Sequence, residues 1–248
     1  MRYFIELSYF GKAYHGWQNQ PNSISVQEVL EENLCKVLRS KKEVVGAGRT
    51  DAGVHARQMF AHFDHPEVID EALLKYKLNS MLPKDIAIAG IFEVRSDAHA
   101  RFDAVSRSYE YHIVQEKDAF SQDFAWLLKQ KIDFDKMNEA AAILKDYTNF
   151  KCFSKSRTDV RTYNCRIDRA EWKKEDNKLV FHITADRFLR NMVRAIVGTL
   201  IDIGQNKYPV SRMHEIIESE ERGEAGASVP ARGLYLTGIE YPENIRIK

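Results

Sequence analysis

The hydrophobic period of this chain switches between two and about three and a half, and never settles into a regular strand–helix–strand alternation. From Arg2 to Tyr9 the side chains alternate, with Tyr3, Ile5 and Leu7 on one face and Phe4 and Glu6 on the other, which predicts a strand. Then Val26, Val29, Leu30, Leu34, Val37 and Leu38 recur at helical spacing, behind a Ser25-Val26-Gln27-Glu28 capping box. Strands are predicted over 58–64 and 86–94, with a helix over 70–81 that stops near Pro83. The theme then repeats. Residues 108–114 alternate, 133–144 are helical with acidic residues at their start, and 166–173 with 179–184 form a hairpin. A long helix is predicted over 188–203, an acidic one over 211–221 and a last strand over 234–239. The fold class is α+β, with helices on a mainly antiparallel sheet. Two similar halves are expected, 1–105 and 106–248.

Composition narrows the function classes. The 248 residues are 44% hydrophobic, enough for a sizeable core, and Lys+Arg (37) nearly balances Asp+Glu (36). An anionic partner must then be met by a local basic face and not by net charge. No apolar run reaches the ~18 residues of a membrane span, and the first residues do not read as a signal peptide. Cys35, Cys152 and Cys165 form no CxxC pair, which argues against a disulfide framework or a cysteine-built zinc site. A cytoplasmic globular protein is expected.

The most unusual segment is Gly46-Ala47-Gly48-Arg49-Thr50-Asp51-Ala52-Gly53-Val54-His55-Ala56. Its glycines permit close approach of a ligand, and Arg49 and Asp51 stand two apart between them. The third glycine of a dinucleotide fingerprint would fall at 51, where Asp51 stands, and no Gly-Lys-Ser/Thr follows, so neither nucleotide-loop pattern fits. A second copy that could form an aspartic-protease pair is also missing. A structural Asp-Gly turn and a functional loop both remain open.

Two basic features accompany it. Between Lys151 and Lys174 eight Lys and Arg side chains face only Asp159, Asp168 and Glu171, interleaved with Phe153 and Tyr163. That mixture suits a phosphate backbone with exposed bases, or simply a solvated hairpin. Arg187, Arg190 and Arg194 are spaced three and four apart, so a continuous helix puts them on one face. Arg194, set among Met192, Val193, Ile196 and Val197, needs a carboxylate if buried, and Asp51 is a candidate. His62-x-x-His65 matches no metal-site spacing, and Tyr109 and Tyr111 share one strand face.

Taken together, these segments resemble the bacterial tRNA pseudouridine synthase A family. Gly48 to Ala56 is similar to that family's catalytic motif, and the likeness runs nearly end to end. It includes Leu7-Ser8-Tyr9-Phe10-Gly11, Tyr14-His15-Gly16-Trp17-Gln18, His99-Ala100-Arg101-Phe102, Arg107-Ser108-Tyr109, 188–198 and Gly233-Leu234-Tyr235-Leu236. The resemblance implies a cofactor-free, metal-free isomerase that converts uridine to pseudouridine at positions 38, 39 and 40 of the tRNA anticodon stem-loop. It implies a homodimer of subunits built from two ferredoxin-like halves that share a central sheet, with the active cleft between them. Asp51 is then the catalytic carboxylate, Arg49 the residue that flips the base, and Arg194 the partner of Asp51. Tyr109 stacks on uracil, Leu234 walls its pocket, and Arg187 and Arg190 grip phosphates. The alternatives are a silent RNA-binding module on the same scaffold and an unrelated hydrolase using Asp51.

Overall fold

A computed structural model describes residues 1–156 and 160–247, so Arg157 and Asp159 of the basic stretch lie outside the described residues. In chain order the elements are β1 (Arg2–Tyr9), α1 (Val26–Leu38), β2 (Val45–Gly46), β3 (His55–Asp64), α2 (Glu71–Met81) and β4 (Ile86–Val94). They continue with β5 (Ser106–Val114), β6 (Trp126–Leu127), α3 (Phe134–Ile143), β7 (Ile167–Glu175), β8 (Lys178–Ala185), α4 (Met192–Gly204), α5 (Arg212–Ser219) and β9 (Leu234–Glu240). The chain divides into two compact units, Met1–Ser106 with Tyr235–Lys248, and Arg107–Leu234. The expected second half ran to 248; instead the chain returns to the first unit at Tyr235, because β9 pairs in parallel with the start of β3.

In the first unit β1 lies between β3 and β4, antiparallel to both. The other edge of β3 is shared: Ala61 and His62 pair with β2, and His55 and Ala56 with β9. Both helices start where their caps dictate. Ser25 accepts from the Glu28 N–H and Asp70 from the Leu73 N–H, each satisfying an orphan donor of the first turn. Leu30 and Leu34 of α1 and Leu74 and Leu78 of α2 are buried. Fully burying one such side chain stabilises by about 1.5–3 kcal/mol. The Phe4 face of β1 is covered as well: Phe4 packs against Phe60, Phe92 and Tyr241.

An edge strand presents unpaired backbone groups, and here a helix covers them. Glu71, Lys75 and Asn79 recur every four residues along one face of α2. Glu71 accepts from the Glu93 N–H, Lys75 donates to the Ala89 carbonyl, and Asn79 exchanges two hydrogen bonds with Ile88. All three reach β4, so the helix does for this edge what another strand would otherwise do.

In the second unit β8 is antiparallel to both β5 and β7, while the short β6 runs parallel to β5. The β7–β8 turn places Asp176 at a φ of 51°, a left-handed conformation Asp tolerates. Nearly the whole of α4 is buried, including Ile196, Val197, Leu200 and Ile203. Its Gly198 and Gly204 admit close neighbours: an added Cβ would come 1.9 Å from the Ala227 carbonyl oxygen and 2.6 Å from the Met137 side chain respectively.

Candidate active site

The glycine-rich segment is the connection from β2 into β3, and its shape is dictated by backbone contacts. The Val54 N–H donates to the Asp51 carbonyl at 3.2 Å, closing a four-residue turn, Asp51-Ala52-Gly53-Val54. Gly53, with φ at 77°, supplies the positive φ that a type II turn needs at its third residue. The turn is laid against the segment that follows β1. Trp17 N–H donates to the Thr50 carbonyl, Gly53 N–H to the Tyr14 carbonyl, and Gly11 N–H to Nδ1 of His55 at 3.0 Å. The Tyr9 and Thr50 hydroxyls share a hydrogen bond of 2.9 Å.

Two glycines outside the segment make this approach possible. Gly16 has φ at 90°, and a Cβ there would lie 2.2 Å from the Thr50 carbonyl oxygen; at Gly11 it would lie 2.0 Å from that of Val54. Both distances are far inside van der Waals contact, so a side chain would displace the turn that carries Asp51. Sequence reasoning met Gly11 and Gly16 only within the family-like segments 7–11 and 14–18 and missed their bracing of Asp51. The signal was available: two glycines in a segment that otherwise reads as aromatic and apolar. Asp51 is half-buried at the start of the turn, and Arg49, two residues before, is exposed. The motif is thus a rigid mount for one carboxylate with a cationic side chain projecting beside it.

Beneath the mount, Tyr14 donates its hydroxyl to Asp85 at 2.6 Å; burial, then that carboxylate, pushes the phenol well above its ordinary pKa, so it stays a donor. His55 is buried between rings, stacked on Phe10 with centroids 4.5 Å apart and 4.7 Å from Tyr235.

The other candidate residues belong to the second unit. Tyr109 is half-buried on β5, edge-on to Phe188 at 5.1 Å. Arg194 lies in the first turn of α4, and its Nε donates to the Val229 carbonyl at 2.7 Å. The Val229 N–H returns a bond to the Arg194 carbonyl, so the two residues are clamped together. Leu234, at the head of β9, is buried.

The expectation that Arg187, Arg190 and Arg194 share one helix face is not met. The helix begins at Met192, because Asn191 takes a left-handed φ of 67° and its side-chain amide is held by Ser228. Arg187 and Arg190 precede it in irregular chain, where the Asp186 carboxylate accepts from the Arg166 and Arg187 N–H groups. The basic stretch is also less available than its count implies. Arg166 pairs with Asp168, Arg169 and Lys173 with Glu171, and Lys151 with Glu220, while Lys174 lies over the Phe134 ring.

Among the described residues no three His, Cys, Asp or Glu side chains are grouped to hold a metal ion, and no helix is long and apolar enough to cross a membrane. What the Asp51 turn does present is a half-buried carboxylate with an exposed guanidinium two residues before it, on a mixed α/β scaffold.

Comparison with known sequences gives that description a family. The sequence profile of tRNA pseudouridine synthase matches residues 7–103 and 140–242, which include the turn, β7, β8 and β9. The chain is 51% identical over 247 residues to tRNA pseudouridine synthase A of Bacteroides thetaiotaomicron, covering 98% of this chain and 92% of that one. It is 50% identical over 245 residues to the protein of that name from Parabacteroides distasonis, covering 98% and 97%. A more distant relative of the same name, from Francisella tularensis, is 34% identical over 244 residues, covering 97% and 94%. The chain belongs to the tRNA pseudouridine synthase family, enzymes of the isomerase class.

Proposed function

We propose that this chain isomerises uridine to pseudouridine at positions 38, 39 and 40 of the tRNA anticodon stem-loop, with Asp51 as the catalytic carboxylate. The observation that carries the reading is the mounting of Asp51: a turn fixed by Gly53 and braced by Gly11 and Gly16 holds one carboxylate in place. In the reaction the N1–C1′ bond breaks and a C5–C1′ bond forms. The hydrogen on C5 leaves as a proton and N1 gains one, so base and ribose stay together with no cofactor consumed. A fixed carboxylate serves either as nucleophile at C1′ or in a route through a glycal.

A uridine within a stem must leave the stack to reach Asp51. Exposed Arg49 is the side chain that fills its place. Tyr109 stacks on the flipped uracil, Leu234 forms an apolar wall, and Arg194 pairs with Asp51 and orients it. Arg187 and Arg190 meet phosphates on the RNA. The architecture behind this is two ferredoxin-like halves sharing a sheet, with the cleft between them, in a cytoplasmic homodimer. The β–α–β–β–α–β order of the first unit, with β4, β1 and β3 adjacent, supports the ferredoxin-like part.

The test is release of tritium from tRNA labelled at C5 of uridine, since the isomerisation must expel that hydrogen. Release by the wild type and none by Asp51→Asn, with tRNA binding retained, is the expected result. Failure of the wild type on several unmodified tRNAs leaves a silent RNA-binding module instead.

A further inference from the structure

Beside the turn that carries Asp51 the first unit has an open pocket of about 270 Å³ that the reading above leaves without a role. Its floor is aromatic: Phe10 stacks on His55 with ring planes 6° apart, and Tyr235 closes against His55. Its rim is cationic. Arg57 and Lys84 are both exposed at the pocket, and the Arg57 guanidinium lies 5.4 Å from the Tyr235 ring centroid. The one carboxylate in the lining, Asp85, already accepts the Tyr14 hydroxyl. Two cations thus outnumber one hydrogen-bonded anion. The volume lies just below the ~300–1,000 Å³ of ordinary ligand pockets, room for about one nucleotide and not for a folded segment.

Position decides what the occupant is. Tyr9, in the pocket wall, is hydrogen-bonded to Thr50, the residue before Asp51, and His55 follows the Asp51 turn directly. The pocket wall is thus tied to the Asp51 turn by one hydrogen bond and by the chain itself. We infer that this pocket is a nucleotide subsite of the RNA substrate: Arg57 and Lys84 hold a phosphate of a nucleotide near the target uridine, over the aromatic floor. This rests on the pseudouridine synthase reading. An acidic peptide could satisfy the two cations, but the aromatic floor and the adjacency to the catalytic turn favour a nucleotide, because bases stack and phosphates follow at fixed spacing.

The experiment measures unmodified tRNA binding against salt, and steady-state tritium release, for wild type and the double variant Arg57→Gln with Lys84→Gln. Each phosphate contact contributes about 0.7–0.9 to the slope of log K against log salt. Loss of the phosphate contact that the two cations share lowers that slope by about 0.7–0.9. KM rises roughly tenfold while kcat stays within about twofold, since binding is lost equally from ground and transition states. Ala87→Glu, which places an acid on the exposed lining, raises KM in the same direction without removing either cation. Unchanged slope and KM in both variants overturn the inference, as does a fall in kcat with KM unchanged. Binding measured in an Asp51→Asn background needs no turnover, so the pocket can fail while the synthase reading holds, and the reverse.

Discussion

The Asp51 turn and the arginine segment 186–194 both stand out in the sequence by spacing, yet only one of them folds as its spacing suggests. The turn is defined by glycines, and each acts locally: Gly53 sets a φ, and Gly16 and Gly11 open room for a neighbouring backbone. The arginine pattern depends on a helix running unbroken beneath it. One residue, Asn191, ends that condition by adopting a left-handed φ. Residue spacing implies a shared face only within one continuous element, whereas a glycine's steric permission holds wherever it stands.

The sharpest way to break this comparison is at Gly16. Replacing Gly16 by Ala strains a backbone at φ 90° and drives a Cβ to 2.2 Å from the Thr50 carbonyl oxygen. The expected result is loss of activity by at least about a hundredfold, as a displacement near 1 Å at a catalytic group produces, with destabilisation of about 2–4 kcal/mol. Gly48→Ala is the control. A Cβ there meets nothing within 4 Å, so thermal stability should hold. Equal damage from both substitutions would mean that the turn is not braced through Gly16.

Acid titration probes a second kind of support. The first unit fixes backbone with neutral imidazoles: Nδ1 of His55 accepts from Gly11 N–H, and Nδ1 of His62 from Ala100 N–H. Burial, then the nearby Arg2 charge, lowers the His62 pKa from 6.5 to about 4. Between those values the unfolded chain binds a proton that the folded one refuses, so stability falls with pH. The contribution is complete above 6.5, erodes as pH drops toward 4, and amounts to about 2–3 kcal/mol. His62→Asn, which keeps an acceptor but does not titrate, should flatten that part of a stability–pH profile. A slope unchanged by the substitution assigns the acid sensitivity elsewhere. The Arg194–Val229 clamp uses a guanidinium and a carbonyl and has no such dependence over this range.

At Asn191 the expected effect is smaller. Asn191→Ala keeps the left-handed strain and loses the bond to Ser228, for a cost of about 1–2 kcal/mol. Asn191→Gly relieves the strain and should cost less than the alanine variant despite losing the same bond. Chemical denaturation of the two variants gives the order directly. If alanine is the better tolerated, the left-handed turn is not what ends the arginine pattern.

Much of the architecture was legible because its causes are local. Strand 2–9 follows from alternation, the strand over 86–94 stands where it was predicted, and the capping box at Ser25 marks its helix. What was not legible depends on residues far apart in sequence. The pairing of β9 with β3 joins Tyr235 to His55. The cover of β4 by Glu71, Lys75 and Asn79 joins helix residues to strand residues 9 to 22 positions away and has no signature in the helix alone. At the candidate site the Asp51 motif could be read; Gly11 and Gly16 stand out as glycines, but which backbone they admit could not be read, because a close approach requires knowing both partners. The basic stretch stayed ambiguous for the same reason: a count of cations cannot show which carboxylates fold back onto them.

That last point sets the smallest expected effect. Arg166 donates through Nε to Asp168 at 2.8 Å, and both side chains stay in solvent. Exposed pairs of this kind contribute little to folding, so Arg166→Gln should leave the melting temperature unchanged. Its effect on RNA binding is the more informative measurement. An arginine already facing a carboxylate must release that partner to hold a phosphate, so its removal should lower the salt slope by less than the ~0.7–0.9 of one full contact. A full-contact loss would show that RNA draws Arg166 away from Asp168. The basic stretch would then contribute charge to recognition after all, and it would differ from the Asp51 turn in when its geometry is set: in the free protein for the turn, on binding for the basic stretch.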